Sequence, residues 1–459
     1  MTHISLKNKP KIILPPGAAQ AVSALHAAGY AAYAVGGFVR DSLLGRDVQD
    51  CDVCTSALPQ AVQALFESKN IRCVLTGVRH GTVTVLIGGE QIEITTFRTD
   101  GSYSDARHPD SVTFVPDLKT DLARRDFTVN AMAYGAQLVD PFGGVRDLHS
   151  GLIRCVGDPY RRFSEDALRI MRAVRFACVL DFKIEEKTEE ALFQCLPQLS
   201  KVSVERFFSE LCKLLLGTHV CPVLSRYRDV FACMIPELKP CFDYPQKTVW
   251  HVYNVYDHIC HTVENTPLDL EIRLTMLLHD IGKPACVSYD QNGSVHFYNH
   301  PQVSAQLAGK ILRRLKAPNH LRKNVCTLIE HHDAYIHPQR RSVLQWLRLI
   351  GPELTRKLLW VKLADLKSQN LQKTQPEIEE IEQIFPVLDA ALQDGCYKIS
   401  QLQVNGSDLQ ACGLQGQAVG QTLEHLLSLV IDEKLTNEKT ALLSYVQTHD
   451  CKNACSMLQ

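Results

Sequence analysis

Residues 34–56, AVGGFVRDSLLGRDVQDCDVCTS, crowd Gly36-Gly37, Arg40 and the alternating pair Asp50-x-Asp52 into a short piece of chain. The apolar run ending in two glycines reads as a buried strand entering a tight turn, and VRDSLLG reads as a short helix after it. Glycines let a ligand approach the backbone closely, and free N–H groups at a helix start favour an anion. Arg40 adds a planar fork that matches phosphate. On a strand, residues i and i+2 share a face, so Asp50 and Asp52 present two carboxylates together. Two like charges so placed raise a pKa unless a cation sits between them, and oxygen-rich sites of this kind suit Mg²⁺ with substrate phosphates. The stretch can therefore hold a nucleoside triphosphate and its metal. The same residues are also compatible with a glycine turn followed by an acidic loop.

Outward from this stretch, residues 16–29 read as a helix, and TVTVLIGGEQIEITTF (82–97) alternates around Gly88-Gly89-Glu90 as a hairpin does. From about residue 160 the apolar spacing turns helical and stays so. The predicted class is α+β: a mixed head, then an all-α remainder. The predicted domains are a catalytic head at 1–150, a helical neck at 151–240, a helical body at 241–370 and a helical tail at 371–459. Prolines 236, 240 and 245 mark the joint before the body.

With 459 residues, 45% hydrophobic and 22% charged, the chain has ordinary globular composition. No apolar run reaches the ~20 residues of a membrane span. The start lacks a signal-peptide pattern, and seventeen scattered cysteines suggest reduced thiols, so a cytoplasmic location is expected. A net charge of −1 argues against a uniformly basic coat, but residues 154–175 hold six arginines against three acids, a local patch suited to phosphate.

GGFVRDSLLGRDVQDCDVCT resembles the signature of polymerase-β-superfamily nucleotidyltransferases, in the branch of CCA-adding tRNA nucleotidyltransferases and bacterial poly(A) polymerases. RRDFTVNAMAY (124–134), EDALRIMRAVRFA (165–177), ERFFSELCKLL (205–215) and VNGSDLQACGLQGQAVGQTLEHLL (404–427) match that branch in order, the last looking like the tail of class II bacterial enzymes. The resemblance implies a polymerase-β-like head with Asp50 and Asp52 on Mg²⁺. It also implies Glu93 as a third carboxylate, Arg125 as a triphosphate ligand, and Arg172 and Arg175 near the nucleotide or RNA end. Asp126 reads as a helix cap. The expected partners are CTP, ATP and the acceptor–TΨC half of tRNA, with no membrane. The expected reaction is template-independent addition of C, C and A with release of pyrophosphate.

Asp166 and Arg169, read as i and i+3 on one helix, form an edge that can choose the base. A carboxylate accepts from the exocyclic amine of cytosine or adenine, and a guanidinium donates to their ring nitrogens. Uracil and guanine turn both contacts repulsive. FRTDGSYSDARHPDSVTFV (97–115) reads as a loop. Its Arg98, Asp100 and Gly101 match the portion that CC-only enzymes of the family lack, which favours full CCA addition.

LLHDIGKP (277–284) resembles the HD phosphohydrolase signature. His279 and Asp280 would be joined by His258 and Asp365, as ligands of a second divalent ion: Ni, Mn or Mg. His251 and His261 compete with His258, and His300, His331 and His332 are candidates for a substrate phosphate. The competing expectations are a poly(A) polymerase and an HD phosphohydrolase with an RNA-binding head.

Overall fold

A computed structural model describes residues 12–48, 50–75, 77–101, 112–291 and 295–449. The chain divides into two compact units, Met1–Pro236 and Glu237–Gln459.

In the first unit, α1 (Pro16–Ala27) starts on a proline, and the chain then enters β1 (Ala32–Val35). Gly36, at φ +71°, turns it into α2 (Gly37–Leu43); a side chain there would be strained. Next come β2 (Asp52–Thr55), α3 (Pro59–Glu67), β3 (Cys73–Val74), β4 (Thr82–Ile87) and β5 (Glu90–Thr96). Gly88 and Gly89 both have positive φ, at +58° and +87°, as a two-residue hairpin turn demands. They close β4 on β5 in the expected register, with Ile87 opposite Glu90. A ribbon of β6 (Arg98–Asp100) and β7 (Val112–Phe114) follows, then β8 (Ala133–Tyr134) and β9 (Leu138–Val139). The sheet order is β3-β4-β5-β2-β1-β8-β9, with β2 parallel to β5 and antiparallel to β1. Val35, Cys54, Phe97, Leu122, Ala131, Ala133 and Val156 form one core cluster behind it.

The remaining helices of this unit are α4 (Leu118–Ala123), α5 (Gly144–Ser150), α6 (Pro159–Glu165), α7 (Leu168–Leu180), α8 (Glu186–Cys195), α9 (Val204–Leu215), α10 (Val220–Arg226) and α11 (Arg228–Met234). The second unit carries α12 (Val255–Glu264), α13 (Leu270–Leu278), α14 (His300–Arg314), α15 (Asn319–His331), α16 (Arg340–Ile350), α17 (Pro352–Lys367), α18 (Leu371–Asp394), α19 (Gly406–Ala411), α20 (Gln417–Ile431) and α21 (Lys439–Thr448). Among the described residues it departs from a purely helical reading where Val287–Tyr289 pairs with Val295–Phe297 as a short hairpin.

Every cysteine among the described residues is a free thiol. Cys51 is buried beside Asp52, and that burial pushes it up to about 12. No helix among the described residues is long and apolar enough to cross a membrane.

Candidate active sites

The sheet register builds the head site. Because β2 and β5 run parallel with Val53 opposite Ile94, Asp52 and Glu93 project beside each other on the face away from the core. Burial and the Glu93 charge push the Asp52 carboxyl up, Asp50 adds to the push, and Arg125 opposes it. Mutually repelling carboxylates of this sort fit a divalent cation, whose charge would relieve all three. Asp50 itself lies before the strand, which begins at Asp52, so strand alternation does not place it. Its proximity is instead set by the chain entering β2.

Arg125 Nη1 stands 3.2 Å from where a side-chain carbon would begin on Gly36, so this glycine leaves room for a guanidinium beside the turn. Asp121, fully buried, holds that guanidinium from behind: it accepts from Arg125 Nη2 at 3.4 Å, from Arg124 Nε at 3.1 Å, and from the backbone N–H of Arg98 at 3.3 Å. Sequence reading passed Asp121 over, because its meaning rests on partners and not on a motif. Of the 97–115 loop, the backbone through Gly101 is described; residues 102–111 lie outside the described residues.

Arg40 is not an open phosphate fork here. It is buried, donates to Asn130 Oδ1 at 2.6 Å and to Asp41 at 2.9 Å, and its guanidinium lies 4.9 Å from the Phe176 ring centre. Gly37 starts α2 below it. Asn130 passes the chain of contacts to Asp126 at 3.1 Å. Asp126 is not the expected helix cap, because Phe127 holds the N-cap position of the short helix Thr128–Asn130 without a side-chain cap bond; Asp126 accepts the Phe127 N–H at 2.8 Å and also Arg172 Nε at 2.8 Å. Arg172 and Arg175 both meet Glu210 of α9, and Arg175 lies over Phe176 at 3.9 Å. The two arginines thus face acidic partners within one network.

The base-edge residues require a correction. Asp166 and Arg169 do not share a continuous helix: Asp166 is extended, at φ −144° and ψ 102°, in the break between α6 and α7. Its carboxylate accepts from Leu168 N at 3.1 Å and from Arg206 at 2.7 and 3.3 Å. Arg169 is buried and pairs with Glu165 at 2.8 Å, while donating to the carbonyls of Arg162 and Arg124. Arg206 and Glu210, four apart on α9, were not singled out from sequence. Their i, i+4 spacing on one helix face is the signal that could have found them.

The second unit brings the HD candidates together. His258, held by α12, places Nε2 2.9 Å from Asp365 Oδ1 on α17 and 3.4 Å from Asp280 Oδ2. His279, just past α13, places Nε2 3.2 Å from Asp280 Oδ2 and 3.8 Å from Asp365 Oδ1. His279 Nε2 and both oxygens of Asp280 are buried without a partner in hydrogen-bond geometry, although Lys283 Nζ stands 2.7 Å from Asp280 Oδ2 as an ion pair. Burial works against a charged His279, but the two carboxylates raise it to about 9; Asp280 and Asp365 are held well below the usual carboxylate range despite burial. His258 Nε2 and Asp365 Oδ1 hydrogen-bond each other, while His279 Nε2 and the Asp280 oxygens are left unfilled, and a converging set of this kind fits a divalent ion. Asn254 caps α12 and is no ligand. His251 bonds Thr248 at 2.8 Å and His261 stacks on Tyr253, which leaves His258 in the first position. His300 and His332 also reach Asp280, at 3.3 and 3.8 Å. The cluster opens on a cavity of about 690 Å³ lined by Lys247, Trp250, Tyr298, Tyr335 and Lys362.

Comparison with known proteins gives three family matches: a poly(A) polymerase head domain over residues 32–154, an RNA- and SrmB-binding region of polymerase A over 181–240, and a tRNA nucleotidyltransferase domain 2 over 295–446. A CCA-adding enzyme of Lactobacillus helveticus is 55% identical over 197 residues, 42% of this chain and about half (48%) of that protein. The CCA-adding enzyme of Lactiplantibacillus plantarum is 33% identical over 454 residues, 94% of this chain and 96% of that one. The CCA-adding enzyme of Bacillus stearothermophilus, solved with CTP, superposes with a TM-score of 0.70 at 29% identity, over 97% of this chain and all of that chain.

Proposed function

Since this chain belongs to the CCA-adding enzymes, we propose that it adds C, C and A to the 3′ end of tRNA, using CTP and ATP and releasing pyrophosphate. The register that sets Asp52 beside Glu93, with Arg125 facing the Gly36 turn, is the observation that carries this reading. Asp50, Asp52 and Glu93 would hold Mg²⁺, which when bound supplies activation of the RNA 3′-hydroxyl and neutralises charge on the departing pyrophosphate. Arg125, fixed by Asp121, orients the triphosphate. The 3′-oxygen then bonds to the α-phosphorus as the bond to pyrophosphate breaks. Asp166, steadied by Arg206, uses three of its about four acceptor positions and keeps room for one exocyclic amine. Arg169 supplies the facing donor. The base edge is thus built from the extended residue between two helices and the first turn of the second, not from one helix face.

On this reading residues 1–150 form the head, 151–240 the neck, 241–370 an HD-type body and 371–459 a tRNA-binding tail. The body has a second activity: metal-dependent hydrolysis of a 2′,3′-cyclic or terminal phosphate on RNA. Water adds to phosphorus, one P–O bond to ribose breaks, and that ribose oxygen takes the proton. A second hydrolysis frees phosphate and restores the hydroxyl that the head extends. What supports this activity is the convergence of His258, His279, Asp280 and Asp365 beneath a cavity with aromatic and lysine walls.

The test for the head uses purified protein, tRNA lacking its 3′ end, each labelled nucleotide in turn, and sequencing of the product. Addition of CCA supports the proposal. A run of A's would instead make the chain a poly(A) polymerase, and no addition would overturn the reading of the head.

A further inference from the structure

We infer that the cavity of the second unit receives one unpaired ribonucleotide, its base laid on Trp250 and its phosphate at the Asp280 cluster; this rests on the phosphohydrolase reading above. The cluster accounts only for the floor of the cavity. Its walls carry large rings that the fold leaves uncovered: Trp250 is 43% exposed, Tyr298 66% and Tyr335 57%. Lys247 and Lys362 stand among them. Exposed apolar side chains gathered in one place mark a binding surface. A ligand that offers an anion to the cluster and the lysines, and a flat apolar face to the rings, is a nucleotide. Aromatic platforms of this kind accept any base, because every base has a π-face.

Trp250 is exposed but firmly held. The segment 247–250 is tied at both ends to Lys283, itself buried, whose Nζ donates to Gln246 Oε1 at 2.9 Å and stands 3.4 Å from His251 Nε2. The same Nζ lies 2.7 Å from Asp280 Oδ2, so the segment and the cluster share an anchor. Asn370, which caps α18, donates its backbone N–H to the Trp250 carbonyl at 2.8 Å and its Nδ2 to the Val249 carbonyl at 3.2 Å. Lys247 keeps a left-handed backbone, at φ +47°, and strain of this sort gathers at ligand clamps. Tyr335 donates to Glu380, and Tyr298 stacks on His296 with ring centres 5.1 Å apart. Rings fixed in advance lose little freedom on binding, which is what a stacking platform needs. Lys247 and Trp250 place a cation and a ring on one short segment, the combination that follows a single strand. Glu377 and Glu380 also line the cavity and repel a further phosphate, so the strand leaves on the Lys247 side. A base still paired and stacked in a duplex cannot lie on Trp250; the site therefore selects a single-stranded end.

The experiment uses the full chain, stripped of metal and reloaded with Ni²⁺, Mn²⁺ or Mg²⁺ in turn. Its probes are 2′,3′-cyclic AMP and the base-free 2,3-cyclic phosphate of methyl riboside, compared by kcat/KM. The parent should prefer the nucleotide by roughly tenfold to a hundredfold, as one stacked base contributes. Trp250→Ala should erase that preference and Trp250→Phe should restore most of it, whereas structural damage would lower both probes together. Cyclic AMP should also quench tryptophan emission; all three tryptophans lie in the second unit, so the signal does not report the head. A 2′,3′-cyclic end on a short overhang should be hydrolysed roughly tenfold or more faster than the same end paired in a blunt hairpin. Equal kcat/KM on the two small probes, a preference that survives Trp250→Ala, or equal rates on the two RNA ends would overturn the single-strand base site, while the hydrolysis itself upheld the phosphohydrolase reading. Quenching by cyclic AMP with no hydrolysis under any ion would do the reverse. Neither quenching nor hydrolysis would end both.

Discussion

Asp126→Asn tests the network beneath the head site. The Asp126 carboxylate is 8% exposed and receives Phe127 N–H at 2.8 Å, Asn130 Nδ2 at 3.1 Å and both Nε and Nη2 of Arg172, at 2.8 and 2.6 Å. Burial alone would push this carboxyl up; Arg172 and Asn130 more than reverse it and hold it well below the usual range. Asparagine keeps one acceptor but turns an amide N–H₂ toward either Arg172 or Asn130. Removing one partner of a buried ion pair costs ~3–5 kcal/mol. Arg172 is 32% exposed and retains Glu210 at 3.9 Å, so about 2–3 kcal/mol is expected here. For a unit of this size that lowers Tm by roughly 4–12 °C.

The pH dependence has a definite sign. A carboxyl with a depressed folded pKa contributes stability that is fully present above its unfolded value, ~3.9, and is lost as pH falls below it. The gap between parent and variant should therefore be full above about pH 4, begin to narrow below ~3.9, and close only as pH falls through the much lower folded value. Thermal unfolding followed by far-ultraviolet circular dichroism reads it. Emission from Trp250, Trp346 and Trp360, all in the second unit, controls for damage there. A gap under ~0.5 kcal/mol at pH 7, or one constant down to pH 3, would refute the assignment of a charged, network-holding Asp126.

Asp52→Ala should cut CTP and ATP incorporation by several orders of magnitude with tRNA retention on a filter nearly unchanged; near-normal incorporation would remove Asp52 from the site. Asp166→Ala should raise UTP or GTP misincorporation relative to CTP by roughly tenfold to a hundredfold, the worth of a ~1–3 kcal/mol hydrogen bond in a dry pocket. A slow variant that keeps its C/A preference would put the base edge elsewhere. The double change His279→Ala, Asp280→Ala should abolish hydrolysis of a 2′,3′-cyclic nucleotide under Ni²⁺, Mn²⁺ or Mg²⁺ and spare CCA addition. Hydrolysis that survived it would show that another site does the work.

Local signals were readable in the chain. Gly88-Gly89 between alternating residues dictates a two-residue turn, whereas the Asp-x-Asp stretch foretold Asp52 but not how Asp50 joins it, since β2 begins only at Asp52 and its facing carboxylate, Glu93, comes from the β5 register. EDALRIMRAV misled, since its alanine and leucine spacing favours one unbroken helix. The break falls at Asp166, whose backbone is extended and whose side chain accepts the Leu168 N–H at 3.1 Å. Asp121 was invisible because it is defined by residues such as Arg98, 23 positions away, and the spacing of Glu210 from Arg206 marks a helix face without revealing its partner Arg175, 35 positions away. Arg40 reads as a phosphate fork until Asn130, ninety residues on, is seen against it. His300 and His332 have no motif of their own; only the packing of α14 and α15 against α13 brings them to Asp280.

The two candidate centres differ in the atoms they offer, and this sets what supplies each. Asp50, Asp52 and Glu93 present oxygen alone, which suits the abundant hard ion Mg²⁺. The centre around Asp280 presents four imidazole nitrogens, whose affinity climbs from Mn²⁺ toward Ni²⁺ and Cu²⁺. On the proposed reading, one polypeptide would draw on two separate pools of ions. A nitrogen-donor chelator that strips transition metals and leaves Mg²⁺ alone should silence the proposed hydrolysis and spare nucleotide addition. If both proposed activities hold, a cell short of trace metal would still finish its tRNAs and lose only the trimming of damaged ends.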